Sequence, residues 1–466
     1  MLLQEKMTST ELRSVITLAL IMTLRMLGLF MVLPVFSLYA EKLTGATPLL
    51  MGIAIGIYGL SQAIFQIPFG AWSDRFGRKP LILIGLVIFA LGSLIAANAD
   101  SIFIMILGRT LQGVGAIGST ILATIADLTR EEQRTKAMAI AGISIGFSFL
   151  FAILLGPILT AWLNVSGLFY LAVILSVLAI FILFLFVPAP PRSQSARTLT
   201  ATRLNKNTIA PVFNLLLIPE LARLNIGIFI LHAIFTANFV VLPILLYQMA
   251  ALPTSHQWLI YLPTLLIAFL MSFIGMIRAE KNQSVKFYFL GSIAVILLSQ
   301  LLFLLTPHTF TLIFINMSLF FTGFSLLEAL LPSLISRTAP TNARGTALGI
   351  YSCLQFLGIF AGGVLGGWLY GRFSFSGVYF LCVVLVFFWI ILAYRMQSPS
   401  YFVTHIVRLS KTQQQEWHTI AAKLCLIPGM IDATLVVSEN AAHLRMKRET
   451  MQHPDFIRFK EQLQSE

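Results

Sequence analysis

Twelve stretches of mainly apolar residues follow one another along the chain, with short polar segments between them. Each stretch is long enough, as a helix, to cross the roughly 30 Å hydrocarbon core of a bilayer. Six precede a polar segment near residues 188–221, and six follow it. The pattern predicts an all-α integral membrane protein of twelve transmembrane helices in two six-helix halves, with spans at 14–40, 48–72, 80–98, 101–126, 135–162, 166–187, 222–248, 255–278, 286–306, 310–335, 344–370 and 375–396.

The polar segments divide the chain into four predicted domains: an N-terminal six-helix half (1–187), a cytoplasmic central linker (188–221), a C-terminal six-helix half (222–398) and a small cytoplasmic α+β domain (399–466). The linker is basic and rich in Ser and Thr. Its last part, with Val212, Phe213, Leu216 and Leu217, has an apolar face, which we expect to lie along the membrane surface.

The tail at 399–466 is too polar to span a membrane, yet it has regular apolar patterns. Alternation predicts strands at 401–409, 431–437 and 442–447. A helical stripe predicts one helix before Pro428-Gly429 and another near the end of the chain. The order βαββα is that of a ferredoxin-like fold without its last strand. The stripes are Trp417, Ile420, Ala421 and Leu424, and Phe456, Phe459 and Leu463.

Composition excludes most other classes of protein. The chain is 58% hydrophobic and 11% charged, with a mean hydropathy of +0.89, which is too little charge to cover a soluble domain of 466 residues. Cys353, Cys382 and Cys425 are scattered and form no CxxC pair, so neither disulfides, a metal site nor a metal-chaperone role for the tail is expected. No nucleotide loop or nucleophile–histidine pairing suggests an enzyme.

The net charge of +13 would suggest nucleic acid as the partner of a soluble protein, but here the basic residues occupy loops. With the N-terminus inside, the outside loops hold only Lys42 and Arg372. This asymmetry predicts that both termini are cytoplasmic. The inside loops hold Lys6, Arg13, Arg75, Arg78, Lys79, Arg130, Arg134, Lys136, Arg278, Lys281, Lys286, Arg337, Arg344 and Arg395.

The two halves show faint internal repetition. Arg134 and Arg344 lie 210 residues apart, as do Gly156 and Gly366. Such a repeat predicts two pseudo-symmetric halves around a central cavity near the bilayer midplane. Small residues recur at one-turn spacing and permit close helix packing, either static or between helices that move. These stripes are Gly52/Gly56, Gly142/Gly146, Ser272/Gly275 and Gly358/Gly362/Gly366.

The segment 70–79 concentrates charge between spans 2 and 3. Its glycines allow close packing and a sharp turn. Its acid suits a helix terminus or a basic partner, and its bases favour a cytoplasmic loop. Asp127, at the end of span 4, is expected to bond Arg75 or Arg78, or else to be solvated. The six defining residues are Gly70, Asp74, Arg75, Gly77, Arg78 and Lys79.

Four charged or titratable side chains lie well inside the spans: Arg25, Arg109, His232 and Glu328. Charge is costly in hydrocarbon, so each is a functional candidate. Glu328 is the sole carboxylate among them and the leading candidate for a proton carrier, with a structural ion pair as the alternative. His232 either titrates near neutral pH or is a packing residue that forms hydrogen bonds. Arg25 suits pairing or an anion, because arginine does not deprotonate.

Several separate motifs resemble those of the twelve-span drug:proton antiporters of the major facilitator superfamily, over about residues 10–396. The segment 70–79 matches the first inter-helix motif of that family in full. Gly28 and Pro34 are similar to its first-span pattern, Arg109, Gln112 and Gly113 to its fourth-span motif, and Gly146, Gly156 and Pro157 to its fifth-span antiporter motif. Leu159 and Thr160 depart from that last motif, where the family has two further glycines.

The resemblance implies proton-driven export of small apolar or amphipathic molecules across the cell inner membrane. It implies that Arg109 takes part in proton transfer. It also implies that Asp74 meets the N-terminus of span 11 and Arg78 meets Asp127, which stabilises the outward-open state. The expected partners are a small-molecule substrate, protons and the lipid bilayer, with no cofactor and no nucleic acid; a monomer is favoured.

Our leading hypothesis is that protonation of Glu328, with Arg109 or Arg25 nearby, shifts the balance between the states of a rocking transporter. One alternative is an exporter of metabolites or sugars with the same fold. Another is a membrane sensor that reports ligand binding through its C-terminal domain. Regulation and dimer contact are hypotheses for the domain itself.

Overall fold

The computed structural model describes residues 7–188, 215–340 and 343–396, together with 402–408, 417, 420–421, 424, 426–436, 441–447, 450 and 453–458. The helices are α1 (Ser9–Phe30), α2 (Leu33–Ala40), α3 (Pro48–Phe76), α4 (Arg78–Ala97), α5 (Ile102–Val114), α6 (Gly118–Asp127), α7 (Glu131–Phe186), α8 (Pro219–Gln248), α9 (Trp258–Lys281), α10 (Val285–Leu305), α11 (Phe310–Thr338) and α12 (Arg344–Tyr394). The strands are β1 (Phe402–Arg408), β2 (Met430–Val436) and β3 (Ala441–Lys447).

Two helices are far longer than one membrane crossing. α7 has 56 residues and α12 has 51, and each contains one residue with non-helical backbone angles. These residues, Asn164 (φ 56°) and Ser374 (φ 56°), fall between the predicted spans and lie 210 residues apart, the interval of the sequence repeat. In the part of the chain that is described, ten helical segments are long and apolar enough to cross a membrane, where α1 with α2 and α5 with α6 each count as one segment. α7 and α12 are two of the ten.

Two predicted spans are interrupted. The span predicted at 14–40 breaks between α1 and α2 at Met31 and Val32, just before Pro34. The span predicted at 101–126 breaks between α5 and α6 at 115–117, where Gly115 has φ −69° and ψ 51°. A continuous apolar pattern does not reveal such breaks, because breaking a helix changes its backbone hydrogen bonds and leaves its hydropathy unchanged.

Local sequence signals explain where several helices begin. Thr8 forms a capping box with Glu11, whose carboxylate accepts from the Thr8 backbone N–H at 2.8 Å. Thr47 and Ser101 cap α3 and α5 with their side-chain oxygens. Gly77 joins α3 to α4 with φ 101°, a left-handed conformation that favours glycine.

The bundle is apolar both inside and outside. Large apolar side chains are exposed all over its outer surface, as expected for helices that face lipid rather than water. Side chains from α1, α3, α4, α6 and α7 form a buried core in the N-terminal half. Examples of the exposed residues are Ile64, Phe103, Phe151, Ile174, Phe181, Phe269 and Phe387.

The positions of three arginines distinguish the two ends of the bundle. Arg78 contacts Asp127, Arg130 contacts Glu11, and Arg337 contacts Glu280. We call the end that carries Arg78, Arg130 and Arg337 the basic face, and the other end the opposite face.

α3 and α12 join the two halves near the opposite face. A Cβ atom on Gly56 would lie 2.9 Å from the Phe360 carbonyl oxygen, and the Cys353 Sγ lies 3.7 Å from the Ala63 carbonyl oxygen. Toward the basic face this packing ends. A Cβ on Gly345 or Gly349 would meet no described atom within 4 Å. We infer that the halves separate toward the basic face and leave a cavity open on that side.

The predicted small-residue stripes differ in their packing. The α3 and α12 glycines lie against backbone of neighbouring helices, and Gly275 lies against Leu326. Close packing at Gly142 and Gly146 is wrong for this conformation, because a Cβ on either would meet no described atom within 4 Å. Gly146 lies on the side of α7 that faces the open cavity, one helical turn before Phe149.

The C-terminal unit contains a three-stranded antiparallel sheet in the order β1–β3–β2. The strands begin and end within one residue of the predicted ranges. The Trp417, Leu424 and Phe456 side chains pack in a common core with the sheet, and Ile420 and Ala421 lie at the edge of that core. Most of the central linker (189–214, with Val212 and Phe213), and Phe459 and Leu463 of the last predicted helix, lie outside the described residues.

Candidate functional site

Four phenylalanines meet between the two halves, and we call them the aromatic cluster: Phe30 of α1, Phe149 of α7, Phe235 of α8 and Phe324 of α11. The Phe149 ring lies 5.2 Å from Phe30, 5.7 Å from Phe235 and 6.3 Å from Phe324, centroid to centroid. Phe235 and Phe324 stack at 4.8 Å. These contacts link the halves deep in the bundle and close the cavity on the side of the opposite face.

Glu328 lies one turn from Phe324 on α11, toward the basic face. Gln355 of α12 donates its amide N–H to Glu328 Oε1 at 3.1 Å, and its Nε2 lies 2.9 Å from His232 Nε2 of α8. The second carboxylate oxygen, Oε2, lies 3.8 Å from His232 Nε2 and has no hydrogen-bond partner among the described residues. The Glu328 side chain is 38% exposed, far more than its His232 partner at 7%. It therefore faces the cavity.

The expected arginine neighbours of Glu328 lie elsewhere. Among the described residues, the titratable neighbour of Glu328 is His232, and neither Arg25 nor Arg109 forms an ion pair with it. The arginines and Glu328 belong to different halves. Both arginines form their contacts within the N-terminal half, whereas Glu328, Gln355 and His232 all belong to the C-terminal half.

Arg25 is buried in the N-terminal half, with 1% of its surface exposed. Its Nη2 donates to Gln62 Oε1 at 3.0 Å and to the Gly115 carbonyl oxygen at 2.9 Å. That carbonyl is available because the helix is broken between α5 and α6. The guanidinium also lies over the Phe89 ring at 5.3 Å, a cation–π geometry.

Arg109 is equally buried, at 2% exposure. Its Nη1 donates to Gln112 Oε1 at 2.7 Å, and Gln112 in turn donates to Ser93 Oγ at 2.8 Å. Its Nε donates to the Ala54 carbonyl oxygen at 3.3 Å. The guanidinium lies 5.5 Å from the centre of the Tyr58 ring. All of these partners are uncharged.

A cavity between the halves connects Arg109 with the aromatic cluster. Arg109, Tyr58 and Thr236 are its polar lining residues, and Phe30, Phe235 and Phe239 are among its apolar ones. The Tyr58 ring makes an edge contact with Phe356 of α12, so it stands between the N-terminal arginines and the other half. The lining is mostly apolar with few polar groups, as in small-molecule sites, but the enclosed space is only about 20 Å³, so a ligand larger than a water molecule would have to widen it.

The loop at 70–79 forms a compact charge network at the basic face. Arg78 Nε donates to Asp127 Oδ2 at 2.8 Å, and Arg78 also pairs with Asp74. Asp127 therefore pairs with Arg78, one of its two expected partners. Arg75, the other, lies over the Phe76 ring. Among the described residues, Asp74 makes no contact with the first turn of α12, because the halves are apart at this end.

Two further motif residues of this loop have structural neighbours. Lys79 donates to the Val187 carbonyl oxygen at 2.9 Å, at the end of α7. A cation at a helix C-terminus is favourable because the last carbonyls carry partial negative charge. A Cβ on Gly70 would meet only Ser119 Oγ, at 3.9 Å, among the described atoms.

The remaining motif glycines mark close approaches of helices. A Cβ on Gly28 would lie 2.9 Å from the Ala172 Cβ, one on Gly113 would collide with the Tyr58 carbonyl, and one on Gly156 would collide with the Met31 carbonyl. Gly156 and Pro157 thus pack against the break between α1 and α2, next to Pro34. Gly146 is the exception, as described above.

Sequence reasoning missed four residues of this site: Gln355, Gln62, Tyr58 and Thr236. A weak signal existed for the two glutamines, because an amide side chain in an apolar span needs a hydrogen-bond partner. Tyr58 and Thr236 carry no comparable signal, since both residues are common in membrane helices. Only their position at the cavity distinguishes them.

The sequence and the fold both match known transporters. A profile of the Major Facilitator Superfamily matches residues 18–363 and 224–426. The Escherichia coli inner membrane transport protein YajR is 40% identical over 95% of each chain. Class E tetracycline resistance protein from Escherichia coli is 28% identical over 44% of this chain and 53% of its own length.

Solved structures agree at the level of fold. A bacterial homologue of the human lysosomal transporter Spinster superposes with a TM-score of 0.66 at 17% identity, over 83% of this chain and 96% of that one. A D-xylose–proton symporter gives 0.63 at 17% identity, over 83% and 98%. The family profile and the 40% identity to YajR over 95% of each chain place this chain in the Major Facilitator Superfamily of membrane transporters, which are not enzymes.

Proposed function

We propose that the protein is a proton-coupled antiporter that exports small apolar or amphipathic molecules by alternating access. Transport itself follows from the family. The direction and the substrate class are suggested by relatives named as tetracycline and multidrug resistance proteins. The mostly apolar lining of the cavity fits such molecules better than it fits a sugar or another polar metabolite.

We also propose the topology. A straight helix of 51–56 residues would be about 75–85 Å long, against roughly 30 Å of hydrocarbon. α7 and α12 would therefore each cross the membrane twice and turn at Asn164 and Ser374, which makes twelve crossings. The basic face would be cytoplasmic by the positive-inside rule, with both termini on that side. YajR is named as an inner membrane protein, and we place this chain in the same membrane.

The structure then corresponds to an inward-open state, with the cavity open to the cytoplasm. In the opposite state α3 and α12 would close at the basic face. Asp74 would then reach the N-terminal turn of α12, where the helix dipole attracts an anion. Arg78 would keep its ion pair with Asp127. The 70–79 loop would thus stabilise the outward-open state.

The proposal of proton coupling rests on the position of Glu328. It is the one carboxylate in the bundle interior among the described residues, it faces the cavity, and one of its oxygens has no hydrogen-bond partner. A carboxyl group that changes charge at this point would alter the energy of the open cavity and so shift the balance of states. His232 and Gln355 would hold the group in place.

Proteoliposomes test this proposal. We expect a pH gradient to drive uptake of tetracycline into vesicles that carry the wild type. Glu328→Gln should abolish gradient-driven uptake but keep exchange of labelled for unlabelled substrate without a gradient. Glu41→Gln, a carboxylate just after α2 and outside the cavity, is the matched control. Gradient-driven uptake that persists in Glu328→Gln would move the proton site elsewhere.

For the C-terminal unit we propose a ferredoxin-like fold. The strand order β1–β3–β2 among the described strands, with the helical residues packed on the sheet, supports that assignment. A regulatory role for this unit remains a hypothesis.

A further inference from the structure

The N-terminal half buries two positive charges that have no acidic partner among its described side chains. Arg25 and Arg109 are 1% and 2% exposed, and every hydrogen-bond acceptor that they contact is an amide or a carbonyl oxygen. The carboxylates of this half whose side chains are described lie at helix ends or in loops: Glu11, Glu41, Asp74, Asp100 and Asp127. An uncompensated buried charge is costly, so such groups are normally paired.

Several polar atoms around these arginines still lack a hydrogen-bond partner. They are Nε and Nη1 of Arg25 and the Thr236 hydroxyl, all of them buried. The Arg109 guanidinium lies 5.5 Å from the centre of the buried Tyr58 ring. Buried donors without acceptors are rare in folded proteins and often mark a missing ligand.

The cavity brings these groups to one surface. Arg109, Tyr58 and Thr236 line it, and Arg25 is not among its lining residues. The remaining wall is apolar and includes Phe30, Phe235 and Phe239. The same space thus offers hydrogen-bond donors and a positive charge beside aromatic and aliphatic contact.

We propose that the substrate carries an anionic group, a carboxylate or sulfonate, which binds at Arg109, Tyr58 and Thr236 while its apolar body packs on the phenylalanines. A guanidinium and two hydroxyls are the donors that recognise a carboxylate. The anion would supply the missing counter-charge to Arg25 and Arg109. Thr236 belongs to the C-terminal half, so binding would bridge both halves. This inference rests on the proposed function and defines its substrate class.

Equilibrium binding tests the inference without a pH gradient. The protein is placed in phosphatidylcholine nanodiscs and titrated with dansylglycine, an aryl carboxylate, and with dansylglycinamide, its neutral analogue, at pH 8. We expect the acid to bind about 10-fold or more tightly than the amide, because hydrogen bonds to charged groups are the strong ones. Equal affinity of the two probes would overturn the proposal.

Substitutions of the three polar lining residues test where the anionic group binds. Arg109→Gln should remove the preference for the acid and leave amide binding unchanged. Tyr58→Phe and Thr236→Val keep the shape of the side chains and should each weaken acid binding several-fold, so the test does not depend on one arginine variant that fails to fold. Acid binding that none of these variants changes would overturn the proposal.

Two further experiments distinguish failure of this inference from failure of the proposed function. A phospholipid headgroup has the same anionic chemistry, so the titration is repeated with phosphatidylglycerol in the nanodiscs. Loss of dansylglycine binding there would assign the site to lipid and overturn the substrate assignment. Glu41→Gln, just after α2 and outside the cavity, should keep selective acid binding. Selective binding without gradient-driven transport would defeat the coupling proposal alone, and transport without selective binding would defeat this inference alone.

Discussion

Gly52 of α3 and Gly363 of α12 pack backbone against backbone, so that a Cβ atom on either one would collide with the carbonyl oxygen of the other. Helices can approach this closely only where neither residue has a side chain. The contact joins the two halves near the opposite face, and the cavity opens on the other side of it. Its formation and loss would therefore accompany any change of the open side.

Gly52→Ala should weaken this contact and shift the protein away from the conformation described here. Overpacking typically costs about 1–3 kcal/mol, which changes a two-state ratio by roughly 5- to 150-fold. Spin labels report the shift, with one pair at Lys42 and Arg372 on the opposite face and another at Phe76 and Arg278 on the basic face. The first distance should lengthen and the second should shorten.

Gly291→Ala is the control for Gly52→Ala, because a Cβ on Gly291 meets no described atom within 4 Å and α10 packs within its own half. The labels are placed in a background without the native cysteines. Unchanged distances in Gly52→Ala would mean that α3 and α12 can adjust to a methyl group, and the contact would then not control the open side.

Gly146→Leu should have the reverse effect. Gly146 lies open to the cavity on the same face of α7 as Phe149, which reaches the other half. A large side chain there fits the present conformation and would obstruct closure of the basic face. We expect the Phe76–Arg278 distance to stay long, transport to fall at least about 10-fold, and thermal stability to be kept. Gly291→Leu serves as the control, and normal transport by Gly146→Leu would contradict the prediction.

Glu11→Gln should destabilise the protein more than Asp127→Asn, although each variant removes one acid of an ion pair. Glu11 is 9% exposed, caps α1 and accepts from both the backbone and the guanidinium of Arg130. Its loss should cost about 1–3 kcal/mol. Asp127 is 40% exposed, so its pair with Arg78 should contribute less than about 1 kcal/mol. Thermal unfolding in one detergent compares the two, and an equal loss would contradict the argument from burial.

Leu444→Ala should unfold the C-terminal unit within the full-length chain. Leu444 is 1% exposed at the centre of β3, between the other two strands, and large-to-small changes at such positions cost about 2–5 kcal/mol. Hydrogen exchange of the β3 amides measures the loss of protection. Leu426→Ala, at an 83% exposed position, should leave exchange unchanged. Protection retained in Leu444→Ala would show that the sheet does not depend on this core.

Local patterns predicted much of the chain correctly because they act over short distances. The breaks at Asn164 and Ser374 fall between predicted spans, and the three strands match their predicted ranges to within one residue. The breaks near Met31 and Gly115 escaped prediction. At those points the break is stabilised by contacts with other helices, such as Gly156 against Met31 and Arg25 on the Gly115 carbonyl.

The candidate site was predicted only in part. Charge within an apolar span is visible in the sequence, so Arg25, Arg109, His232 and Glu328 could be identified. Their partners could not, because a hydrogen bond between Gln355 and Glu328, or between Gln62 and Arg25, depends on how separate helices rotate and pack. For the same reason the sequence could not show that Glu328 forms no ion pair with an arginine among the described residues.

The sequence by itself determined the class of protein, the two halves and the charged residues within the spans, since the cost of placing polar groups in hydrocarbon acts on each segment independently. The tertiary structure alone decided which charges meet and which side of the bundle is open. It separated Glu328 from the arginines, left Arg25 and Arg109 without an acid, and packed Gly52 on Gly363. These relationships arise from packing between distant segments, and hydropathy along the chain contains no information about them.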